Sequence, residues 1–226
     1  MKQSKILIIA AHPDDEIIGC GGTILKLKKS NKIRIVFTCR TYDKRINKKN
    51  SKKYNERMII AEKVANYLKI DKPIFLNYNG LSLKRQDITQ MARSLHEQII
   101  KFKPDTIFTH CIDDNHHDHR ATAEATLIAI RPSKLNKFLK KIYSYEIASA
   151  TEKLINKNRA FNPNFFVDIS KTYKQKIKIL KKFYKDELKP YPNFLSIKSI
   201  ENQIKFRGNS VNLFAAEAFE TIRFIK

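Results

Sequence analysis

The sequence predicts an α/β fold, a Rossmann-like, mostly parallel sheet flanked by helices, organised as a single domain over residues 1–226. Three observations lead there. The run Lys5 to Ala10 is apolar without polar alternation, as expected of a parallel strand covered on both faces. Strand-like and helix-like segments then alternate along the chain, the pattern of βαβ units. Two polar clusters, Ala11-His12-Pro13-Asp14-Asp15-Glu16 and Asp113-Asp114-Asn115-His116-His117-Asp118-His119-Arg120, each follow such a strand and precede a helix. Open α/β sheets keep their ligand crevices at that end of the strands. At 226 residues and 26.4 kDa the chain is long enough to bury a sizeable core as one unit.

Lys5 to Ala10 is the first strand. Pro13 biases His12 away from helical backbone, so the chain leaves the sheet extended before a helix starts at about Ile17. That helix carries Ile24, Leu25 and Leu27 and runs to Ser30, with lysines toward its C-terminus where the helix dipole favours them. Gly19-Cys20-Gly21-Gly22 lacks both the dinucleotide fingerprint and the lysine-hydroxyl pair of a phosphate loop, which leaves close packing of helix on strand. Ile33 to Thr38 is the second strand, parallel to the first through a right-handed crossover. Residues 40–53 read as a polar, basic loop, either functional or disordered at that length, on the crevice side where it could cover the site. From Asn55 to Leu68 a helix sets Met58, Ala61, Val64, Ala65 and Leu68 on one face.

Ile74 to Leu76 is a short third strand, and Asn77-Tyr78-Asn79-Gly80 a turn. Ile88 to Phe102 has helical spacing and stops ahead of Pro104, with His96 as a packing or surface residue. Thr106 to His110 is the fourth strand, and His110, its last residue, is placed to support the site from behind. Ala121 to Ile130 is helical and ends at Pro132; Lys141 to Ile147 is a fifth strand. After a turn at Asn162-Pro163-Asn164, Phe165 to Ile169 is a further strand. Ile169 to Leu188 reads as a long basic helix, with Ile177, Leu180 and Tyr184 on one side and its lysines solvated. Ile197 to Phe206 is helical, and Ala215 to Ile225 closes the domain.

Composition narrows the function. The formal net charge is +23 and the pI about 9.9, so the chain attracts anionic molecules. Its lysines are spread from end to end, and no zinc finger, RNP-like aromatic signature or basic leucine zipper is present, so no dedicated nucleic-acid partner is expected. Cys20, Cys39 and Cys111 have neither close pairing nor zinc-knuckle spacing, which speaks against a disulfide framework or a cysteine-ligated metal. No apolar stretch reaches the roughly 18 residues that span a bilayer, and Met1 to Ser4 is too short for a signal peptide. The expectation is a cytoplasmic protein without membrane insertion, its oligomeric state open.

The two polar clusters carry the chemistry. Asp14, Asp15 and Glu16 would favour a helix N-terminus, but that role needs one carboxylate, not three beside a histidine. Half of the chain's six histidines lie in the second cluster. His12, Asp15 and His119 would supply two imidazoles and a carboxylate to a metal, leaving coordination positions open for water and substrate. Open positions mean catalysis. Zinc suits these donors, and so does Fe2+ or another divalent metal.

His12-Pro13-Asp14-Asp15-Glu16, followed by Gly19, Gly21, Gly22 and Thr23, resembles the amino-terminal signature of the LmbE/PIG-L family of zinc-dependent sugar N-deacetylases. His116-His117-Asp118-His119 resembles its second signature. Further matches at Arg131-Pro132, Tyr145-Glu146, Asn162-Pro163-Asn164, Phe166-Val167-Asp168-Ile169, Arg207-Gly208 and Ala216-Glu217-Ala218-Phe219-Glu220 extend the resemblance over nearly the whole chain. It implies a metal-dependent hydrolase that removes the acetyl group from an N-acetylated sugar or sugar conjugate, in glycan or nucleotide-sugar metabolism. It further implies zinc on His12, Asp15 and His119, Asp14 as general base, and His116 as the oxyanion's stabiliser with Asp118 fixing its tautomer and orientation. Arg57 matches by position a family arginine that contacts substrate. The role of His117 stays open, as do substrate contacts of Asp113, Asp114 and His110. The alternative is a metallohydrolase acting on another acyl compound or a phosphate ester; the latter favours a second metal, for which Asp113 and Asp114 are the spare carboxylates nearby. Tyr191-Pro192-Asn193-Phe194-Leu195-Ser196 departs from the family's basic, proline-containing motif, so the sugar and its aglycone are not assigned.

Overall fold

The structure is a computed structural model that describes residues 3–40, 49–147 and 161–226. Strands β1 (Ser4–Ala10), β2 (Asn31–Arg40), β3 (Ile74–Asn79), β4 (Thr106–His110), β5 (Lys141–Tyr145), β6 (Phe165–Asp168) and β7 (Ala216–Phe224) join one seven-stranded sheet in the order β3-β2-β1-β4-β5-β7-β6. The first five pair in parallel, as the alternating pattern predicts. β7 runs antiparallel to both β5 and β6. Helices α1 (Asp15–Leu27), α2 (Lys49–Leu68), α3 (Arg85–Phe102), α4 (His117–Ala129), α5 (Tyr173–Phe183) and α6 (Ile197–Asn209) cover the two faces.

The apolar run of β1 explains the layering. Ile6, Ile8 and Ala10 face the layer of α1, α2, α5 and α6, whereas Leu7 and Ile9 face Met91 and Leu95 of α3 and Ala121 and Ala125 of α4. Both faces are buried, so successive side chains are apolar alike. Each buried Ile or Leu is worth roughly 1.5–3 kcal/mol against exposure, and β1 is therefore a firm base for the loop that follows it. Gly19 shows why glycines sit within α1: a Cβ there would lie 2.4 Å from the Tyr145 ring of β5. The helix rests on the sheet too closely for a side chain.

Several boundaries differ from expectation. α1 begins at Asp15 and α4 at His117, so both polar clusters run into the first turns of helices. α2 begins at Lys49, ahead of Asn55; the remainder of the expected covering loop, residues 41–48, lies outside the described residues. β3 continues through Asn79, and the turn falls at Gly80 and Leu81 instead. β5 stops at Tyr145, short of Ile147. The closing segment is a strand, β7, inserted between β5 and β6.

The long basic helix is shorter than read, Tyr173–Phe183, and not all its lysines are solvated. Lys176 is buried. Its Nζ donates to the Ile18 carbonyl at 2.6 Å and to Glu217 Oε1 at 2.7 Å. The Glu217 carboxylate accepts the amides of Gly22 at 2.8 Å and Thr23 at 2.7 Å. A buried ion pair from α5 and β7 thus grips the backbone at the middle of α1. Among the described residues no helix is long and apolar enough to cross a membrane.

Candidate metal and catalytic site

β1 and β4 are neighbours in the sheet, so the loops after them meet. There His12, Asp14, Asp15, His116, Asp118 and His119 line one cavity of about 250 Å³ together with Arg57 of α2. Every predicted site residue is brought to that one place. A larger groove of about 760 Å³ runs between α3 and the turn after α4, lined by Arg93, His96, Arg131 and Ser133 among others; among the described residues no metal-binding group lies in it.

His12, Asp15 and His119 are buried, and each offers a donor atom within 4.8 Å of the others. Asp15 Oδ2 lies 3.5 Å from His12 Nδ1, and Asp15 Oδ1 lies 3.4 Å from His119 Nε2. Asp15 Oδ2 also accepts the His12 amide at 2.8 Å, which folds the loop onto itself. Behind His119, Asp114 Oδ2 lies 3.1 Å from Nδ1, the arrangement by which a carboxylate orients a metal-binding imidazole. Asp114 Oδ1 accepts the His116 amide at 2.7 Å. His110, fully buried, stacks on His119 with ring centroids 4.1 Å apart, and its Nε2 accepts the Ala11 amide at 2.9 Å. His110, expected to support the site from behind, packs there.

The charges are strongly coupled. Burial works against a charged His12, but hydrogen bonds to Asp118 and Asp15 outweigh it and raise its pKa to about 9. Burial likewise opposes a charged His119, yet Asp15 and Asp114 raise it to about 10. Burial works against the Asp15 carboxylate, but the charge of His119 holds it well below the usual range. Burial, joined by the charge of His119, lowers both His110 and His116 to about 4, so these rings are neutral. A pocket of buried imidazoles and carboxylates whose charges balance only pairwise suits a divalent cation.

Asp14 differs from its neighbours. Its backbone stands at φ 129°, ψ −35°, and its side chain makes no capping bond to α1, so helix capping does not explain it. Glu16 caps instead, accepting the Asp14 amide on Oε2 at 2.9 Å. Burial and the adjacent Asp15 charge raise the Asp14 pKa to about 8, against the pull of Arg57 and His12. Glu16 is raised to about 7 by burial despite a hydrogen bond from Tyr184.

The Asp118 carboxylate hydrogen-bonds elsewhere than His116: Oδ2 pairs with His12 Nε2 at 2.9 Å, and Oδ1 accepts the Leu81 amide at 2.7 Å, although His12, His116 and Asp118 each offer a donor atom within 4.8 Å of the others. The backbone amide of Asp118 instead donates to His116 Nδ1 at 3.2 Å, because His116 is the N-cap of α4 and an unpaired first-turn amide points at it. The neutral His116 ring therefore keeps its proton on Nε2. The turn after β3 comes in against Asp118 so closely that a Cβ on Gly80 would lie 2.3 Å from Oδ2. His117 packs away from the cavity, with Nε2 3.2 Å from the Leu83 carbonyl. Sequence reasoning missed Glu187, which enters the wall beside Arg57: Arg57 Nε donates to its Oε1 at 2.7 Å.

A sequence model of the family described as PIG-L, GlcNAc-PI de-N-acetylase, matches residues 7–130. That span holds both polar clusters. The chain belongs to the PIG-L family. Among solved structures, this PIG-L chain is similar to an N,N'-diacetylchitobiose deacetylase from Pyrococcus horikoshii (TM-score 0.77, 22% identity, 97% of this chain and 84% of that one). It is also similar to the A40926 pseudoaglycone deacetylase Dbv21 (TM-score 0.75, 14% identity, all of both chains). A 4-carboxy-2-hydroxymuconate hydratase from Pseudomonas putida shares the fold as well (TM-score 0.76, 16% identity, 99% and 98%). At these identities the likeness is one of fold, and reaction type has to be read from the site.

Proposed function

We propose that residues 1–226 form one cytoplasmic deacetylase domain that hydrolyses the amide of a small N-acetylated sugar or sugar conjugate. The observation that carries this is the convergence on one cavity of His12, Asp15 and His119 with Asp14, whose side chain makes no capping bond, beside them. Membership of a de-N-acetylase family supports it. The two imidazoles and one carboxylate fit zinc, with Fe2+ as the other metal they would accept. When bound there, zinc would polarise the acetamide carbonyl and lower the pKa of a water toward about 7.

The chain's own groups supply the rest. Asp14 takes a proton from the attacking water and returns it to the nitrogen as the C–N bond breaks, leaving acetate and a free amine. His116, neutral with Nε2–H as its donor, stabilises the oxyanion that forms on the carbonyl oxygen. Asp118 holds His12 by its carboxylate and sets the His116 tautomer by its amide. Arg57 binds substrate hydroxyls at the rim.

A phosphate-ester substrate has less support, since the family model that matches is that of a de-N-acetylase. Amine release from N-acetylated sugars, free and nucleotide-linked, assayed beside p-nitrophenyl phosphate hydrolysis, tests the proposal. Amine from any sugar with no phosphatase activity is expected. Phosphatase activity without amine release would overturn it.

A further inference from the structure

We infer that Tyr184 and Glu187, on the turn that follows α5, are positioning residues for Asp14, Tyr184 acting through Glu16 and Glu187 through Arg57. The inference rests on the reading of Asp14 as the base. Asp14 needs holding, because its φ of 129° lies where residues with a side chain rarely sit. Two relays reach it. On the backbone side, Glu16 Oε2 accepts the Asp14 amide at 2.9 Å, and Glu16 Oε1 accepts the Tyr184 hydroxyl at 2.6 Å. Glu16 and Tyr184 are both buried, so the carboxyl is clamped between those two groups. On the side-chain side, Arg57 Nη2 lies 3.9 Å from Asp14 Oδ2. The same guanidinium is paired with the Glu187 carboxylate through Nε and Nη2.

Both relays end on one turn, closed by the Glu187 amide donating to the Tyr184 carbonyl at 3.0 Å. That turn lies 168 residues from Glu16 and 130 from Arg57 along the chain, yet it fixes the amide and the carboxylate of a single residue. Released from either, Asp14 can relax toward ordinary backbone angles and carry its carboxylate away from the water it must deprotonate. A displacement of about 1 Å at a reacting group costs on the order of a hundredfold in rate.

The test uses the full chain, metal-loaded, with amine release expressed per metal-bearing site for wild type, Tyr184→Phe, Glu187→Ala, Glu187→Gln and Asp14→Asn. Tyr184→Phe keeps the ring and removes only the hydroxyl. Its kcat should fall on the order of tenfold to a hundredfold, with KM and metal content unchanged. Glu187→Ala should fall similarly, and Glu187→Gln, which keeps an acceptor for Arg57, should recover most of the loss. A Tyr184→Phe protein with wild-type kcat per loaded site, whatever its melting temperature, would overturn the inference, as would Glu187→Gln no better than Glu187→Ala. If Asp14→Asn itself stays active, the base reading fails and this inference falls with it.

Discussion

Lys176→Met should cost this protein about 3 kcal/mol, a lower-end value for one buried partner of an ion pair lost. Lys176 and Glu217 are 1% and 5% exposed. Methionine keeps the aliphatic stem and removes the ammonium, so packing changes little while Glu217 loses its counter-charge and the Ile18 carbonyl loses a donor. Removing one partner of a buried pair costs about 3–5 kcal/mol. The amides of Gly22 and Thr23 still hold the carboxylate, which places the cost at the low end. For a chain of this size about 2–4 °C is lost per kcal/mol, so the melting temperature should drop by about 6–12 °C. Urea titration and thermal melting at fixed metal load measure it. Adding Glu217→Gln to Lys176→Met removes the stranded charge and keeps an acceptor for α1, so the double variant should be more stable than the sum of the singles by about 1–2 kcal/mol. A loss below about 1 kcal/mol for Lys176→Met, less than a third of the low-end expectation, or strict additivity in the double variant, would refute the gripping role of the pair.

Other outcomes follow from the site. Asp14→Asn should lower kcat by about 10²–10⁴ with metal retained, whereas His12→Ala and His119→Ala should lose metal and turnover together; metal analysis beside amine release distinguishes them. In the metal-free protein His12 and His119 are raised above their ordinary pKa, to about 9 and about 10, so both are protonated at pH 7 and must shed a proton to become ligands. Metal affinity should therefore climb as pH rises toward that range, and binding at pH 7 should release at least two protons, with Asp14, itself raised to about 8, adding to them as the nearby cation favours its carboxylate, read by calorimetry in buffers of different ionisation enthalpy; no proton release would contradict it. Gly19→Ala, whose Cβ would meet the Tyr145 ring at 2.4 Å, should destabilise by about 1–3 kcal/mol in urea titration, and an unchanged midpoint would show that α1 can shift away.

How much of this could be read before the structure depends on the physical range of each signal. β1, β4 and the two polar clusters were legible because their information is local: an unbroken apolar run means burial on both faces, and a histidine with carboxylates at a strand's end means a crevice. The glycines at 19–22 read as helix-on-strand packing for the same reason, and Gly19 does meet Tyr145 of β5, whereas Gly21 faces Lys176 of α5 and Gly22 faces Ile169. Partners separated by a hundred residues were not legible. Nothing near Lys176 marks it as the one lysine of α5 that turns inward to Glu217, and Glu187 follows a stretch of lysines that looks solvated. The resemblance pairs Asp118 with His116, and the hydrogen bond between them runs through the Asp118 amide, because a residue in the first turn of a helix offers its amide to the N-cap while its side chain points elsewhere. The strand character of β7 comes from its insertion between β5 and β6, a tertiary event that its own residues do not announce.

Metal-dependent amide hydrolysis at this cavity is open to one direct measurement: acetate and amine released from an N-acetylated sugar by the purified protein as isolated, after chelation, and after zinc is returned, with metal content determined at each stage. Activity that disappears with one metal per chain and returns with it, and that Asp14→Asn abolishes while still binding the metal, is the expected result. Hydrolysis that persists in the chelated protein, or a chain that takes up no metal at His12, Asp15 and His119, would contradict it.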